Sequence, residues 1–366
     1  MNIKKKAIGL LAASGIMLTA SVSDVYAGNE DRAGSAGATE LLINPWARGL
    51  SWAGAGTSSV TGIEATYLNV AGLAYGDKTE LMFSRTNWLT GSDISINAIG
   101  LGQRVGESSV LGLSVVSMSF GDIPITTTAL PEGGIGTFSP QYTNIGLAYA
   151  RKFSDAISGG INIKVISEAI ANVNAQGIAF DAGIRYVTGE TDNMKFAISL
   201  KNVGPPMVFD GDGLAVSTIN AVTGETSTTN QRSAKFELPS LVNIGASYDF
   251  NVAEMHKITL AGTFTSNSFT KDQFRFGLRY GGDFGKAQFI LRGGLVYESG
   301  VFNVDEQATA LTGPTAGVTV DVPMGKGGTK LGIDYAFRAS SPFGLINTIG
   351  IRINVGGNAK EEEEEK

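Results

Sequence analysis

The residues best equipped for chemistry in this chain are bases that recur at every second position. Lys164, Arg185, Lys195, Lys201, Arg275, Arg279, Arg292, Arg338 and Arg352 fall on the polar face of alternating segments, together with the acids Asp181 and Asp334. A cation-rich face of this kind predicts one of two things. Either it is a path for anionic solutes, or it is a lumen whose bases are paired to carboxylates and carbonyls, because buried charges need partners. Other chemistries lack their parts. The 366 residues include no Cys, which excludes disulfides, thiolate zinc sites, iron–sulfur clusters and thiol nucleophiles. The single His, His256, stands beside the short Asn251–Met255 connection and reads as an exposed turn residue rather than a catalytic base. No G-x-S-x-G elbow or phosphate-binding loop stands out, and Asp210-Gly211-Asp212 reads as turn chemistry. A net charge of −6 gives no footprint for nucleic acid. The expectation is a protein without catalysis, cofactor or metal.

The elements that carry these bases alternate with period two, the mark of half-buried strands. Phe180, Ala182, Ile184 and Tyr186 alternate with Asp181, Gly183 and Arg185; Phe274, Phe276, Leu278 and Tyr280 alternate with Arg275, Gly277 and Arg279. Fourteen such segments are read at 80–89, 94–104, 109–120, 141–153, 156–168, 176–187, 194–203, 235–250, 256–267, 271–283, 286–298, 315–324, 328–339 and 344–355. Ten residues or so suffice for a tilted strand to cross a bilayer. Alternation alone does not separate a soluble sandwich from a membrane barrel. Connection lengths do: they are short after the even segments and long at 121–140, 204–234 and 299–314, so long and short connections lie on opposite sides. Aromatics near segment ends (Trp88, Phe120, Phe153, Tyr186, Phe250, Phe284, Tyr297, Phe337) suit interfacial girdles. The fold class expected is all-β, a transmembrane antiparallel barrel of about 14 strands with an N-terminal plug.

Four parts follow. Residues 1–27 read as a secretory signal peptide, with a basic start at Lys4–Lys6, an apolar stretch and a Val25-Tyr26-Ala27 exit. Residues 28–79, rich in Gly, Ala, Ser and Thr but carrying Trp46, Trp52, Tyr67 and Tyr75, read as a hatch rather than a solvated tether. Residues 80–355 are the barrel. Residues 356–366, ending in Glu361–Glu365, read as a solvated, disordered acidic tail. An even strand count puts both termini in the periplasm of a bacterial outer membrane. In the long loops, Ile123-Pro124-Ile125 and Met207-Val208-Phe209 are apolar where a loop should face outward. Such a patch marks a partner-binding surface or caps the barrel mouth.

The arm and barrel together resemble the PorV/PorQ family of Bacteroidetes outer-membrane proteins, distant relatives of the FadL transporters. The resemblance is carried by Ala47-Arg48-Gly49, Ala53-Gly54-Ala55-Gly56 and Tyr67-Leu68-Asn69-Val70-Ala71-Gly72-Leu73, where Val70 replaces the usual Pro of an Asn-Pro-Ala element. Phe180–Tyr186 and Lys201-Asn202-Val203-Gly204 match family strand patterns. The resemblance implies a 14-stranded, hatched barrel acting in the type IX secretion system. Its partners would be the lipid bilayer, the translocon, the attachment complex and secreted cargo. The FadL relatives imply instead passive transport of hydrophobic or anionic small molecules. A third expectation is an accessory subunit of another outer-membrane assembly complex. For the first reading the working surface is the outer loops. For the second it is the lumen bases Lys164, Arg185, Lys201, Arg275, Arg279, Arg292, Arg338 and Arg352.

Overall fold

A computed structural model describes residues 32–356, except 220–221, 223, 286, 302, 304–308, 325–327 and 341–342. The expected signal peptide and acidic tail lie outside the described residues. Fourteen strands form one antiparallel barrel: β1 (Thr79–Trp88), β2 (Ile94–Val105), β3 (Ser109–Ser119), β4 (Gln141–Lys152), β5 (Ile157–Ile170), β6 (Val173–Thr188), β7 (Met194–Val203), β8 (Leu241–Ala253), β9 (His256–Asn267), β10 (Gln273–Asp283), β11 (Gln288–Glu298), β12 (Gly313–Met324), β13 (Thr329–Ser340) and β14 (Gly344–Val355). Each strand pairs with its sequence neighbours, and β1 closes on β14 with Thr79 opposite Val355 and Asn87 opposite Asn347. Closure leaves no unpaired sheet edge, which a strand in hydrocarbon could not satisfy.

The barrel is inside-out relative to a soluble protein. Leu147, Ile184 and Phe276 are 59%, 60% and 56% exposed on its outer wall, whereas Asp181, Arg185, Asp321, Arg338 and Arg352 are buried inside. This distribution is what a lipid-facing band and a filled polar lumen require. No helix among the described residues is long and apolar enough to cross a membrane.

The lumen is filled by the hatch, residues 39–75, built from short helical turns. The α-helices Ala47–Ser51 and Ala65–Leu68 alternate with 3-10 turns at Thr39–Leu42, Ala55–Ser58 and Val70–Tyr75. Such turns are too short to stand alone; burial against the wall holds them. Trp46, Ile63, Leu68 and Leu73 pack on Met82, Ala98, Val110 and Ala148 of β1–β4. Inward glycines let the hatch backbone touch the wall. A Cβ on Gly294 would stand 2.5 Å from the Trp52 carbonyl carbon, and one on Gly183 would stand 2.0 Å from Asn69 Oδ1.

Three sequence expectations change. The segment read as starting at 235 joins the barrel only at Leu241. Pro239 lacks the N–H a central strand needs, and the alternating Phe236 and Leu238 pack into the barrel mouth instead. Trp88 is not an interfacial aromatic. It is 7% exposed and clusters inside the mouth with Ile43, Ile96, Met118 and Ile346, against Phe120 and Tyr142. Met207 is not an exposed loop residue either: it is 1% exposed, among Ala38, Leu41, Ile166, Ala175, Ala179 and Leu238. The loop at 207–210 is extended, with Met207 bridged to Phe236 and 209–210 paired onto β6. Alternation therefore turns Met207 inward and leaves Val208, 40% exposed, outside.

Candidate functional site

The strongest candidate is the seam between hatch and barrel wall. Asn69 is its central fastener. Its side chain accepts from Ala71 N at 3.1 Å, capping the 3-10 turn that follows, and donates to Thr57 O and to Ile184 O of β6, both at 3.2 Å. Val70 takes the first turn position, where a Pro is also accommodated because that N–H has no intrahelical partner. Ser199 Oγ of β7 donates to Leu68 O at 3.0 Å, and Thr263 Oγ1 of β9 donates to Ala55 O at 2.9 Å.

The sequence-predicted bases point inward and separate into two groups. Toward the long-loop end, Lys164 pairs with Asp181 at 2.7 Å and also meets Asn202. Asp181 in turn accepts from Asn202 N at 2.7 Å. Lys201 lies over the Tyr67 ring, 3.7 Å from its centroid. Arg275 donates to Gln273 at 2.9 Å, and Gln273 donates to Glu298 at 2.8 Å. Arg338 is buried. Tyr67 holds the centre of this group, its hydroxyl donating to Leu42 O at 2.5 Å. Burial pushes the Tyr67 phenol well above its ordinary pKa, so it remains a donor.

Toward the short-turn end, Arg185 donates to Val60 O at 3.1 Å and faces the Tyr75 ring at 4.2 Å. Arg352 pairs with Asp321 at 2.6 Å. Arg292 donates to Thr319 Oγ1 at 2.7 Å. Arg279 lines two polar cavities that meet here, of about 230 and 590 Å³. Met207, Val208, Phe209 and the Ile123–Ile125 patch lie elsewhere, on the long loops; Ile123, Pro124 and Ile125 are exposed.

Several buried charged residues of the seam escaped the sequence reading. In the hatch, Arg48 is paired with Glu64 at 2.8 Å. Burial opposes the Arg48 cation, yet the carboxylates of Glu64, Asp334 and Glu80 hold its pKa above the ordinary arginine value. Glu40 faces Glu168 and Asn144, and its pKa is pushed up to about 7 by burial and by the Glu168 charge. On the wall, Glu80, Asp249, Glu298 and Asp321 share the inward parity of the bases. That parity was a usable signal: each stands next to outward apolar residues such as Leu81, Tyr248 and Phe250. The hatch charges had no periodic signal at all.

A different feature marks the outer wall. An apolar depression of about 660 Å³ spans β7–β11, floored by Ala246, Gly262 and Gly293 between Phe196, Tyr248, Leu260, Phe276 and Leu295. The inward residues behind it are equally small, namely Ala261, Gly277 and Gly294, and they touch the hatch at Trp52 and Ala55. At this place the wall is little more than backbone.

No family model matches the chain, and no curated protein matches it by sequence. Solved structures do match in shape. The CymD monoaromatic hydrocarbon channel superposes with a TM-score of 0.52 at 11% identity, covering 85% of this chain and 96% of that one. A TodX monoaromatic hydrocarbon channel lacking S2 and S3 gives 0.51 at 10% identity, over 84% and 96%. A FadL homologue of Pseudomonas aeruginosa superposes less closely, at 0.48 with 11% identity over 84% and 96%. What the chain shares with the two hydrocarbon channels is the fold, a closed antiparallel barrel, here of fourteen strands around an N-terminal hatch.

Proposed function

We propose that this chain is a non-enzymatic, passive transporter of the FadL-like kind in a bacterial outer membrane, with both termini periplasmic and the long loops outside. The observation that carries the reading is the thin wall. The apolar depression outside β7–β11 is separated by glycine and alanine backbone from the hatch at Trp52 and Ala55. A shift of that hatch segment opens a sideways route between the lumen and lipid for a small hydrophobic or amphipathic molecule. The shared fold with channels described as carrying monoaromatic hydrocarbons supports the same reading.

The test is to lock the hatch. The chain has no Cys, so a pair can be introduced cleanly. A Cβ on Gly350 would lie 3.6 Å from Ala47 Cβ, within the roughly 3.5–4.5 Å that a disulfide needs. Oxidised Ala47→Cys/Gly350→Cys protein in liposomes should lose uptake of a small aromatic solute such as toluene, and reductant should restore it. Uptake that is unchanged by oxidation, with the disulfide verified, would remove the hatch from the path.

A second reading has its own observation. Ile123 and Ile125 are exposed on a small hairpin of a long loop, near the exposed Leu130 and Ile135. An apolar patch on a loop favours a protein partner, as the PorV/PorQ resemblance and its type IX secretion role imply. Under this reading Ile123→Ser/Ile125→Ser reduces co-purification of translocon or cargo proteins and leaves solute uptake unchanged. Retention of every partner by that variant would count against it.

A further inference from the structure

We infer that the short-turn end of the lumen contains a binding site for a small oxyanion, a carboxylate or phosphate group, held between Arg279 and Arg292 with Arg48 beside them. Arg279 and Arg292 are directly opposite each other on β10 and β11, and both side chains point inward. Like charges directly across a strand pair repel, and repulsion grows where water is scarce. Arg48 of the hatch lines the same cavity of about 230 Å³, so three guanidinium groups converge on one space.

The nearby carboxylates already have partners, Asp77 accepting from Asn354 and Glu64 holding Arg48 itself. Asp249 takes Lys195 and accepts from Thr259 at 2.6 Å. Asp321 holds Arg352 at 2.6 Å, and Glu80 accepts from Ile63 N at 2.8 Å. Glu64 bonds one nitrogen of Arg48, whose Nε is buried without a partner. Arg292 reaches Asp334 only through the Thr319 hydroxyl, which donates to Asp334 at 2.5 Å. Among the described residues neither Arg279 nor Arg292 forms an ion pair, and Arg279 forms no hydrogen bond. Arg292 is buried and Arg279 half-buried, and a charge held away from bulk water without a partner is costly. A planar or tetrahedral oxyanion bridging the two forks would relieve the repulsion and gain charge-assisted hydrogen bonds. Trp52 and Ile290 give the cavity one apolar wall, which suits an oxyanion on a small organic body.

The site deepens the transport reading by naming a chemistry for one end of the path, and its use in transport rests on that reading. Binding itself does not, so it is measured directly. The full chain in detergent is titrated calorimetrically with benzoate, with inorganic phosphate, and with benzyl alcohol as the neutral control. Saturable binding of benzoate or phosphate is expected, with none for benzyl alcohol; which anion binds separates an organic carboxylate from a phosphate source. Arg279→Ala and Arg292→Gln should each weaken binding by about tenfold or more. Glu64→Gln releases Arg48 and should tighten it. Removing one of two opposed cations should not lower the melting temperature of the unliganded protein.

No saturable binding of either anion overturns the inference, as does binding equal in Arg279→Ala and the parent. So does a large drop in melting temperature for unliganded Arg279→Ala, since that would make Arg279 a structural partner. Absence of saturable binding to the parent protein, with hatch-gated uptake intact, would reject the site and leave transport standing.

Discussion

The two ends of the lumen are built on opposite principles. At the long-loop end, apolar side chains close the mouth: Ile43, Trp88, Ile96, Met118 and Ile346 on one side, and Leu41, Ile166, Met207 and Leu238 on the other. Most bases beneath them have partners, as with Lys164 on Asp181, Lys201 on the Tyr67 ring and Arg275 on Gln273, although Arg338 Nε has none, and a cavity there is only about 50 Å³. At the short-turn end the hatch packs its largest apolar cluster against β1–β4. It leaves polar cavities of about 230 and 590 Å³ along the other side, lined by Arg279 without a partner. A plug that only blocked would be packed alike at both ends. The asymmetry indicates that the hatch is held by apolar contact above, and below by apolar contact on one side and polar contacts on the other, so the two ends should fail under different perturbations.

The largest effect is expected below. Glu64→Ala removes the carboxylate that neutralises Arg48, and both side chains are about nine-tenths buried. Breaking such a pair from one side costs up to about 3–5 kcal/mol, with Asp334 and Glu80 left to offset part of the Arg48 charge. Urea unfolding in detergent should report that loss, together with faster proteolysis of the hatch. Benzoate or phosphate at saturation should restore part of it, because the oxyanion takes over the role of the carboxylate. A loss below about 1 kcal/mol would mean that Arg48 reaches solvent and that the ion pair does not hold the hatch together.

The upper end should respond to pH instead. Glu40 has a folded pKa of about 7 against an ordinary value of 4.5, so the folded state binds its proton more tightly than the unfolded chain. The stabilisation this gives is fully present below about pH 4.5 and is lost as pH rises through 7, at most about 3 kcal/mol. The groups facing Glu40 are Glu168, Asn144, Lys164 and Tyr142. A carboxyl sharing its proton with Glu168 pins the first hatch turn to β5; ionised, the two repel. Melting temperature should therefore fall between pH 5 and 8, and Glu40→Gln should flatten most of that slope. A parent profile that rises over this range would refute the assignment.

How much of this was written in the sequence depends on the range of the interaction. Strand positions follow from alternation and local turn residues, so 194–203 and 344–355 coincide with β7 and β14 at both ends. The parity of Arg185 or Arg352 likewise fixes which face they occupy. Their partners do not follow from parity. Arg185 meets Val60 and Lys201 meets Tyr67 because the hatch docks against strands more than a hundred residues away, and no local pattern encodes that register. The acids Glu80, Asp249, Glu298 and Asp321 were legible by the same parity as the bases, and setting only Asp181 and Asp334 against the bases overstated the positive charge of the lumen. The segment 235–240 shows the limit from the other side. Its alternation is real, but Pro239 ends the ladder and the apolar residues fill the mouth.

The smallest effect tests how the upper seal is made, within three consecutive loop residues. Met207 is 1% exposed among hatch and wall side chains, and a Cβ on Gly177 would come within 2.5 Å of it. Val208, next in sequence, faces outward. Met207→Ala should cost about 2 kcal/mol through lost packing and the cavity it leaves. Val208→Ser should stay within about 0.5 kcal/mol, as exposed substitutions do. If the loop instead served a protein partner through this segment, Val208→Ser would weaken capture while stability stayed level. Equal stability losses at both positions would mean that the loop lies flat against another surface on its outer side. The seal would then belong to an assembly larger than one barrel.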